Sequence, residues 1–172
     1  MIDYDLTKIK GIVFDVDGVL SPTVIPMYPD GEPMRMVNVK DGYAMQLAVK
    51  KGLLIAILSG ARTRAVQVRF ENLGVSDVLL GVPVKLPVFE QWMSTHGLKA
   101  EQVAYVGDDI PDLQVMHAAG LAVAPADAAP EVRQAAGYVS PCQGGHGVAR
   151  DLLEQVMRAQ GLWLDDHHAF GW

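Results

Sequence analysis

The chain has 172 residues, 50% hydrophobic and 20% charged, which suits one domain with a sizeable core. Fourteen Lys and Arg against twenty Asp and Glu leave a net charge of -6 without a basic stripe, so a nucleic-acid partner has no electrostatic support. The single cysteine, Cys142, excludes an internal disulfide, and the longest aliphatic run, 53–58, is far too short to span a bilayer.

The first residues are acidic and lack the cationic start and apolar run of a signal peptide. A cytoplasmic protein with no membrane partner is the expectation, in keeping with the lone thiol. The first predicted strand is Gly11-Ile12-Val13-Phe14, apolar on both faces like the buried centre of a parallel sheet. Residues 21–39 follow, rich in proline and glycine. Tyr28-Pro29-Asp30-Gly31-Glu32-Pro33 reads as a turn between β-prone flanks, which predicts a projecting β-hairpin. A helix is predicted from Asp41, with Tyr43, Ala44, Leu47 and Ala48 inward and Gly52 as its stop. Strand 53–58 ends at Ser59-Gly60. Helix 63–73, strand 78–80, helix 83–96 and strand 102–106 come next, and the last of these runs into Gly107-Asp108-Asp109. Helix 111–119, strand 121–124, helix 127–136, strand 138–140 and helix 147–160 complete the alternation. The tail, 161–172, is aromatic and histidine-rich. Strands alternating with amphipathic helices predict an α/β fold, a three-layer Rossmann-like parallel sheet in a single domain.

Charge concentrates where these strands end. Asp15 and Asp17 follow the first strand, Ser59 follows the second, Lys85 lies just inside a helix start, and Asp108 and Asp109 follow a later strand. The carboxyl edge of a parallel sheet is where such folds bind ligands. Two aspartates there repel each other unless a hard divalent cation joins them. A metal beside a carboxylate nucleophile points to phosphoryl transfer. Asp15, directly off the strand, is the candidate nucleophile, and Asp17 the candidate acid/base, two residues on. Asp15, the main-chain carbonyl of Asp17 and Asp108 can hold Mg²⁺. Ser59 and the backbone at Gly60 can hold nonbridging phosphate oxygens, and Lys85 supplies a compact positive charge.

In this order and setting the residues resemble the haloacid dehalogenase superfamily of phosphotransferases. DxDGV after an apolar strand, followed by S-G, K and GDDxxD, carries the resemblance, which covers most of the chain. FDVDGVL, KDGYAMQLAVKKG, SGARTRAVQVRFENLGV, GDDIPD and GGHGVARD resemble more closely the cap-less branch, the 3-deoxy-D-manno-octulosonate (KDO) 8-phosphate phosphatases. That resemblance implies hydrolysis of a sugar-acid phosphate on the route to lipopolysaccharide. It also implies Mg²⁺ on Asp15, Asp17 and Asp108, with Asp109 and Asp112 supporting the metal and its waters. Phosphate contacts from Ser59 and Lys85 come with it, and the later arginine of the motif is present as Arg69. The family often has arginine directly after the S/T-G pair, where this chain has Ala61, followed by Arg62.

Spacing leaves no room for a cap domain. Only a hairpin and a helix fit between Asp17 and Ser59, and only a helix and a strand between Lys85 and Asp108. Water must still be controlled around an aspartyl phosphate. The expected solution is another subunit, with the exposed apolar hairpin residues Val24, Ile25, Met27, Met34 and Met36 at the interface; the resemblance implies a homotetramer whose subunits complete neighbouring active sites. Other residues have duller readings. Asp41 reads as a helix cap. Lys40 either meets a substrate carboxylate or faces solvent, and Arg69 either reaches substrate across an interface or pairs locally. His146 in its glycine turn and Cys142 read as structural. The tail reads as a solvated end, a metal tract, or a segment entering a neighbouring site. The rival functions are a nine-carbon, sialic-acid-type sugar 9-phosphate phosphatase, a phosphoacceptor signalling domain, and a scaffold.

Overall fold

The computed structural model describes residues 2–171; Trp172 and the side chain of His168 lie outside the described residues. Six strands form one parallel sheet in the order β3-β2-β1-β4-β5-β6. They are β1 (Gly11–Phe14), β2 (Leu54–Leu58), β3 (Asp77–Leu79), β4 (Val103–Val106), β5 (Leu121–Ala124) and β6 (Tyr138–Val139). β1 is central, with Phe14 level with Ile57 of β2 and Val106 of β4. All four residues of β1, β4 and β5 are buried, as strands covered on both faces require.

The period of two along β1 divides the core. Ile12 and Phe14 face one layer, where they join Met45 and Ala48 of α1 (Val39–Lys50), Val66 and Phe70 of α2 (Arg64–Glu71) and Leu152, Leu153 and Val156 of α6 (Val148–Ala159). Val13 faces the other, with Phe89 and Trp92 of α3 (Lys85–Thr95), Val115 and Met116 of α4 (Leu113–Ala118) and Val132 of α5 (Pro130–Ala135). Burying a side chain such as Leu153 or Phe89 contributes about 1.5–3 kcal/mol. The three-layer α/β architecture is therefore the predicted one. Among the described residues no cap unit interrupts it, and no helix is long and apolar enough to cross a membrane.

Two local expectations need correction. Residues 21–39 hold no regular strand: Ser21 makes a single bridge to Asp17, and a Met27–Pro33 bridge surrounds a turn closed by Tyr28 N–H on Glu32 O and Met34 N–H on Pro26 O, both at 2.8 Å. Pro22, Pro26, Pro29 and Pro33 lack the N–H groups a ladder needs, so the segment is a pinched loop and not a β-hairpin. Asp41 does not cap its own helix. Asn38 does, accepting from the N–H groups of Lys40 and Asp41, while the buried Asp41 carboxylate accepts the Arg150 N–H at the start of α6, 2.7 Å away.

The tail folds back on its own α1. Lys51 pairs with Asp165 and Asp166 at 2.6 and 2.7 Å, and Tyr43 donates to the Ala169 carbonyl at 2.6 Å. Trp163 stands edge-on to Tyr43, beneath the Arg150 guanidinium. Within one chain the tail's two carboxylates therefore serve Lys51.

Candidate active site

The carboxyl ends of β1, β2 and β4 converge on one cavity of about 470 Å³. Each strand delivers its residue rigidly, because the ladder continues one step beyond it. Asp15 N–H donates to Val106 O at 3.0 Å, and Ser59 N–H donates to Leu79 O at 3.0 Å. Gly107 N–H donates to Val123 O, which fixes the backbone leading into Asp108. Lys85 arrives from the first residue of α3.

These elements bring four charged groups together. Lys85 Nζ lies 2.6 Å from Asp15 Oδ2 and 2.6 Å from Asp112 Oδ1, and all three residues are buried. Asp15, Asp108 and Asp112 each offer an oxygen within 4.8 Å of the others, a possible metal-holding group. Three carboxylates against one ammonium leave a formal -2 when all are ionised. Burial, with Asp112 adding to it against Lys85, pushes the Asp15 carboxyl up to about 6. Asp108 goes higher, to about 8, through burial and the nearby charges of Asp112, Asp15 and Asp109. Burial alone lowers the Lys85 pKa, but Asp15 and Asp112 outweigh it and the group is raised. An oxygen-rich site with surplus negative charge fits a divalent cation of the Mg²⁺ type.

Glycines make the crowding possible. Gly18 has φ +76°, and a Cβ there would collide with the Asp108 carboxylate. A Cβ on Gly107 would strike Asp112.

Asp112 is a more central residue than the expected outer support. Its Oδ1 accepts from Lys85 and from the buried Tyr105 hydroxyl, both at 2.6 Å. Its Oδ2 accepts from the Asp108 and Asp109 N–H groups at 2.9 and 3.3 Å. It therefore sets the loop that carries Asp108. Asp109 lines the cavity but is exposed. Ser59 and Gly60 line the same cavity, and Ser59 Oγ accepts the Ala61 N–H at 3.2 Å.

Asp17 lines the cavity with its carboxylate turned to Arg35, which donates to both oxygens at 2.8 and 2.9 Å. Its side chain stands apart from the Asp15, Asp108 and Asp112 group. Arg69 and Lys40 are not in this cavity. Arg69 lines a neighbouring apolar one of about 300 Å³, and Lys40 faces a third with His146 and Arg150. In a single chain neither joins the residues gathered around Asp15.

Sequence reasoning missed Arg35 and Tyr105. Arg35 carried a signal, being a lone cation between Met34 and Met36. So did Tyr105, whose hydroxyl needs a partner in an otherwise aliphatic buried strand.

Comparison with known proteins bears on this geometry. A family model of haloacid dehalogenase-like hydrolases matches residues 85–152. The 3-deoxy-D-manno-octulosonate 8-phosphate phosphatase KdsC of Escherichia coli K12 is 38% identical over 154 residues, covering 90% of this chain and 82% of the relative. The crystal structure of the Yersinia pestis phosphatase of the same name superposes with a TM-score of 0.88 at 35% identity, over 92% of this chain and 85% of that one. The Moraxella catarrhalis phosphatase, solved with magnesium, phosphate and KDO, gives 0.86 at 29% identity, over 91% and 90% of the two chains. With a DxD pair at the end of β1, Lys85 between two carboxylates and these relatives over nearly its whole length, the chain belongs to the 3-deoxy-D-manno-octulosonate 8-phosphate phosphatase family of haloacid dehalogenase-like hydrolases.

Proposed function

We propose that this protein is a Mg²⁺-dependent phosphomonoesterase that hydrolyses 3-deoxy-D-manno-octulosonate 8-phosphate to KDO and phosphate, in lipopolysaccharide precursor synthesis. The observation that carries the reading is the Asp15–Lys85–Asp112 contact at the end of the central strand. It holds a carboxylate nucleophile rigid beside a buried cation, and the Moraxella relative holds magnesium, phosphate and the sugar acid.

In this reading Asp15 attacks phosphorus as the bond from phosphorus to the sugar oxygen breaks. The carboxylic acid of Asp17 gives its proton to that departing oxygen. A water then attacks the phosphorus of the aspartyl phosphate and loses its proton to Asp17. The bond to Asp15 breaks and free phosphate is released. Val16 N–H on Asp15 Oδ1 at 2.6 Å and Lys85 on Oδ2 restrict the attacking group to one orientation. Ser59 Oγ, the Gly60 backbone and Lys85 hold the nonbridging oxygens. Asp15, Asp108 and the main-chain carbonyl of Asp17 would hold Mg²⁺, with Asp112 and Asp109 behind them. Bound there, the cation would neutralise charge on the nucleophile and the phosphoryl group. Phosphate release should be strongest on the eight-carbon substrate and vanish on chelation. A kcat/KM higher on a nine-carbon sugar acid 9-phosphate would overturn the substrate assignment. The family relatives carry the eight-carbon name and speak against the nine-carbon, signalling and scaffold alternatives.

The same reading has one domain over 1–172, a cytoplasmic location and a homotetramer. Val24, Met27, Met36 and Val39 are all more than half exposed, an apolar surface on the segment that borders the active site. Arg69 and Lys40 would meet substrate only from a neighbouring subunit. Light scattering should give the mass of four chains, and Met27→Asp should lower it. A wild-type mass equal to one chain would contradict the assembly.

A further inference from the structure

Residues 21–38 border the catalytic cavity with few main-chain bonds of their own; Thr23 bonds Asp127 and Asn38 bonds the Gly145 carbonyl, and Arg35 makes the largest set of side-chain bonds that fasten the segment. Arg35 spends four of its N–H donors there. Nε and Nη2 hold the two oxygens of Asp17, and Nη1 holds Glu32 Oε1 at 2.7 Å and Thr63 Oγ1 at 2.8 Å. The Thr63 hydroxyl also meets Glu32. Next to it, the Met36 N–H donates to the buried Ser21 Oγ at 3.0 Å. The Arg35 side chain is only 11% exposed, although its segment lies on the surface, while that of Asp17 is 47% exposed. Arg35 is also the one residue common to the linings of the catalytic cavity and the apolar cavity beside it.

We propose that Arg35 is a positioning residue for Asp17, its guanidinium fork fixing the direction from which that carboxyl group meets the leaving oxygen. The proposal rests on the acid/base reading of Asp17 above. A half-exposed carboxyl group turns freely about its two side-chain torsions, whereas proton transfer requires it within about 2.6–3.2 Å of the oxygen it serves. A bidentate guanidinium–carboxylate pair sets both distance and plane. Each Asp17 oxygen turns one lone-pair site to the fork, so the second site of one oxygen stays open to carry the proton while both bonds hold. Glu32 and Thr63 anchor the fork from behind, so the carboxyl direction is tied to the 21–38 segment and to the loop after β2.

The test is the dependence of kcat/KM on leaving-group acidity, because kcat/KM reports the steps through departure of the leaving group. The substrates are simple phosphate monoesters graded from p-nitrophenyl phosphate through phenyl phosphate to a short alkyl phosphate. p-Nitrophenoxide leaves without a proton; an alkoxide needs one. Asp17→Asn should steepen the plot, with an extra loss at the alkyl end of about 10²–10⁴-fold. Arg35→Gln should steepen it in the same sense, by about 10²-fold, the typical result of a misplaced catalytic group. The double variant should be no steeper than Asp17→Asn alone. Arg35→Lys should stay steep, because an ammonium cannot replace the planar fork. It retains the charge and much of the stem, so it keeps the test open if Arg35→Gln does not fold. A residue that only bound substrate or supported the loop would lower the whole line without tilting it. A parallel line for Arg35→Gln beside a steep Asp17→Asn overturns the proposal, as does an Arg35→Lys line matching wild type. A parallel line for Asp17→Asn itself overturns the acid/base reading on which the proposal rests.

Discussion

Asp15→Asn is expected to lower kcat by about 10⁴-fold or more, the scale seen when a nucleophile is removed from a set of groups acting together. The amide keeps the shape of the carboxylate and loses the attacking oxygen's charge. Its Val16 N–H contact can survive, and Lys85 keeps Asp112 at 2.6 Å, so the surrounding structure has little reason to collapse. The variant should even gain stability at neutral pH. The folded Asp15 carboxyl has its pKa raised to about 6 from the ordinary 3.8, so the native state favours its protonated form. The stabilisation this gives is complete below the unfolded value and is lost as pH rises through about 6, and Asn has no such loss. Steady-state kinetics and thermal unfolding of the same preparation separate the two effects. Retention of more than about a tenth of the wild-type kcat would show that another group attacks phosphorus.

Removing the divalent cation is expected to abolish turnover and also to change how stability depends on pH. Asp108 dominates the second effect. Its folded carboxyl is raised to about 8, while an unfolded chain releases that proton near 3.8. Between these values the native state binds more protons than the unfolded one, so stability falls as pH rises. The contribution is full below about pH 4 and gone above about pH 8. A cation held by Asp15 and Asp108 competes with the proton and replaces its effect, and ligand binding to the native state raises stability by mass action. Chelated protein should therefore melt lower at about pH 8 than at about pH 6, and added Mg²⁺ should raise Tm more at the higher pH. An equal rise in Tm at both values would contradict the placement of the cation on these carboxylates.

Much of this was legible in the sequence because strong local patterns mark it. The short, doubly buried strands Gly11–Phe14 and Val103–Val106 read as apolar runs, and the carboxylates that line the cavity follow directly after them, at Asp15 and Asp108. Lys85 was legible as a residue in the first turn of a helix, and the structure starts that helix on it. Pairings between residues distant in sequence but not marked by any period were illegible. Nothing in the spacing says that Asp112 takes Lys85 across 27 positions, that Tyr105 donates to it, or that Arg35 reaches Asp17. The 21–39 segment misled because β-prone residues flanked a good turn, while four prolines removed the donors that a strand pair needs. Asp41 misled because a helix start and a cap to another helix use the same residue type. Only the fold brings α6 to it, and its link to Arg150 spans 109 positions.

The central claim is that phosphate passes through a covalent ester on Asp15. Enzyme quenched in acid during turnover and digested for peptide mass spectrometry tests it directly. The account predicts a phosphoryl group on the peptide containing Asp15, absent from Asp15→Asn and from chelated enzyme. A phosphoryl group on any other side chain would contradict it.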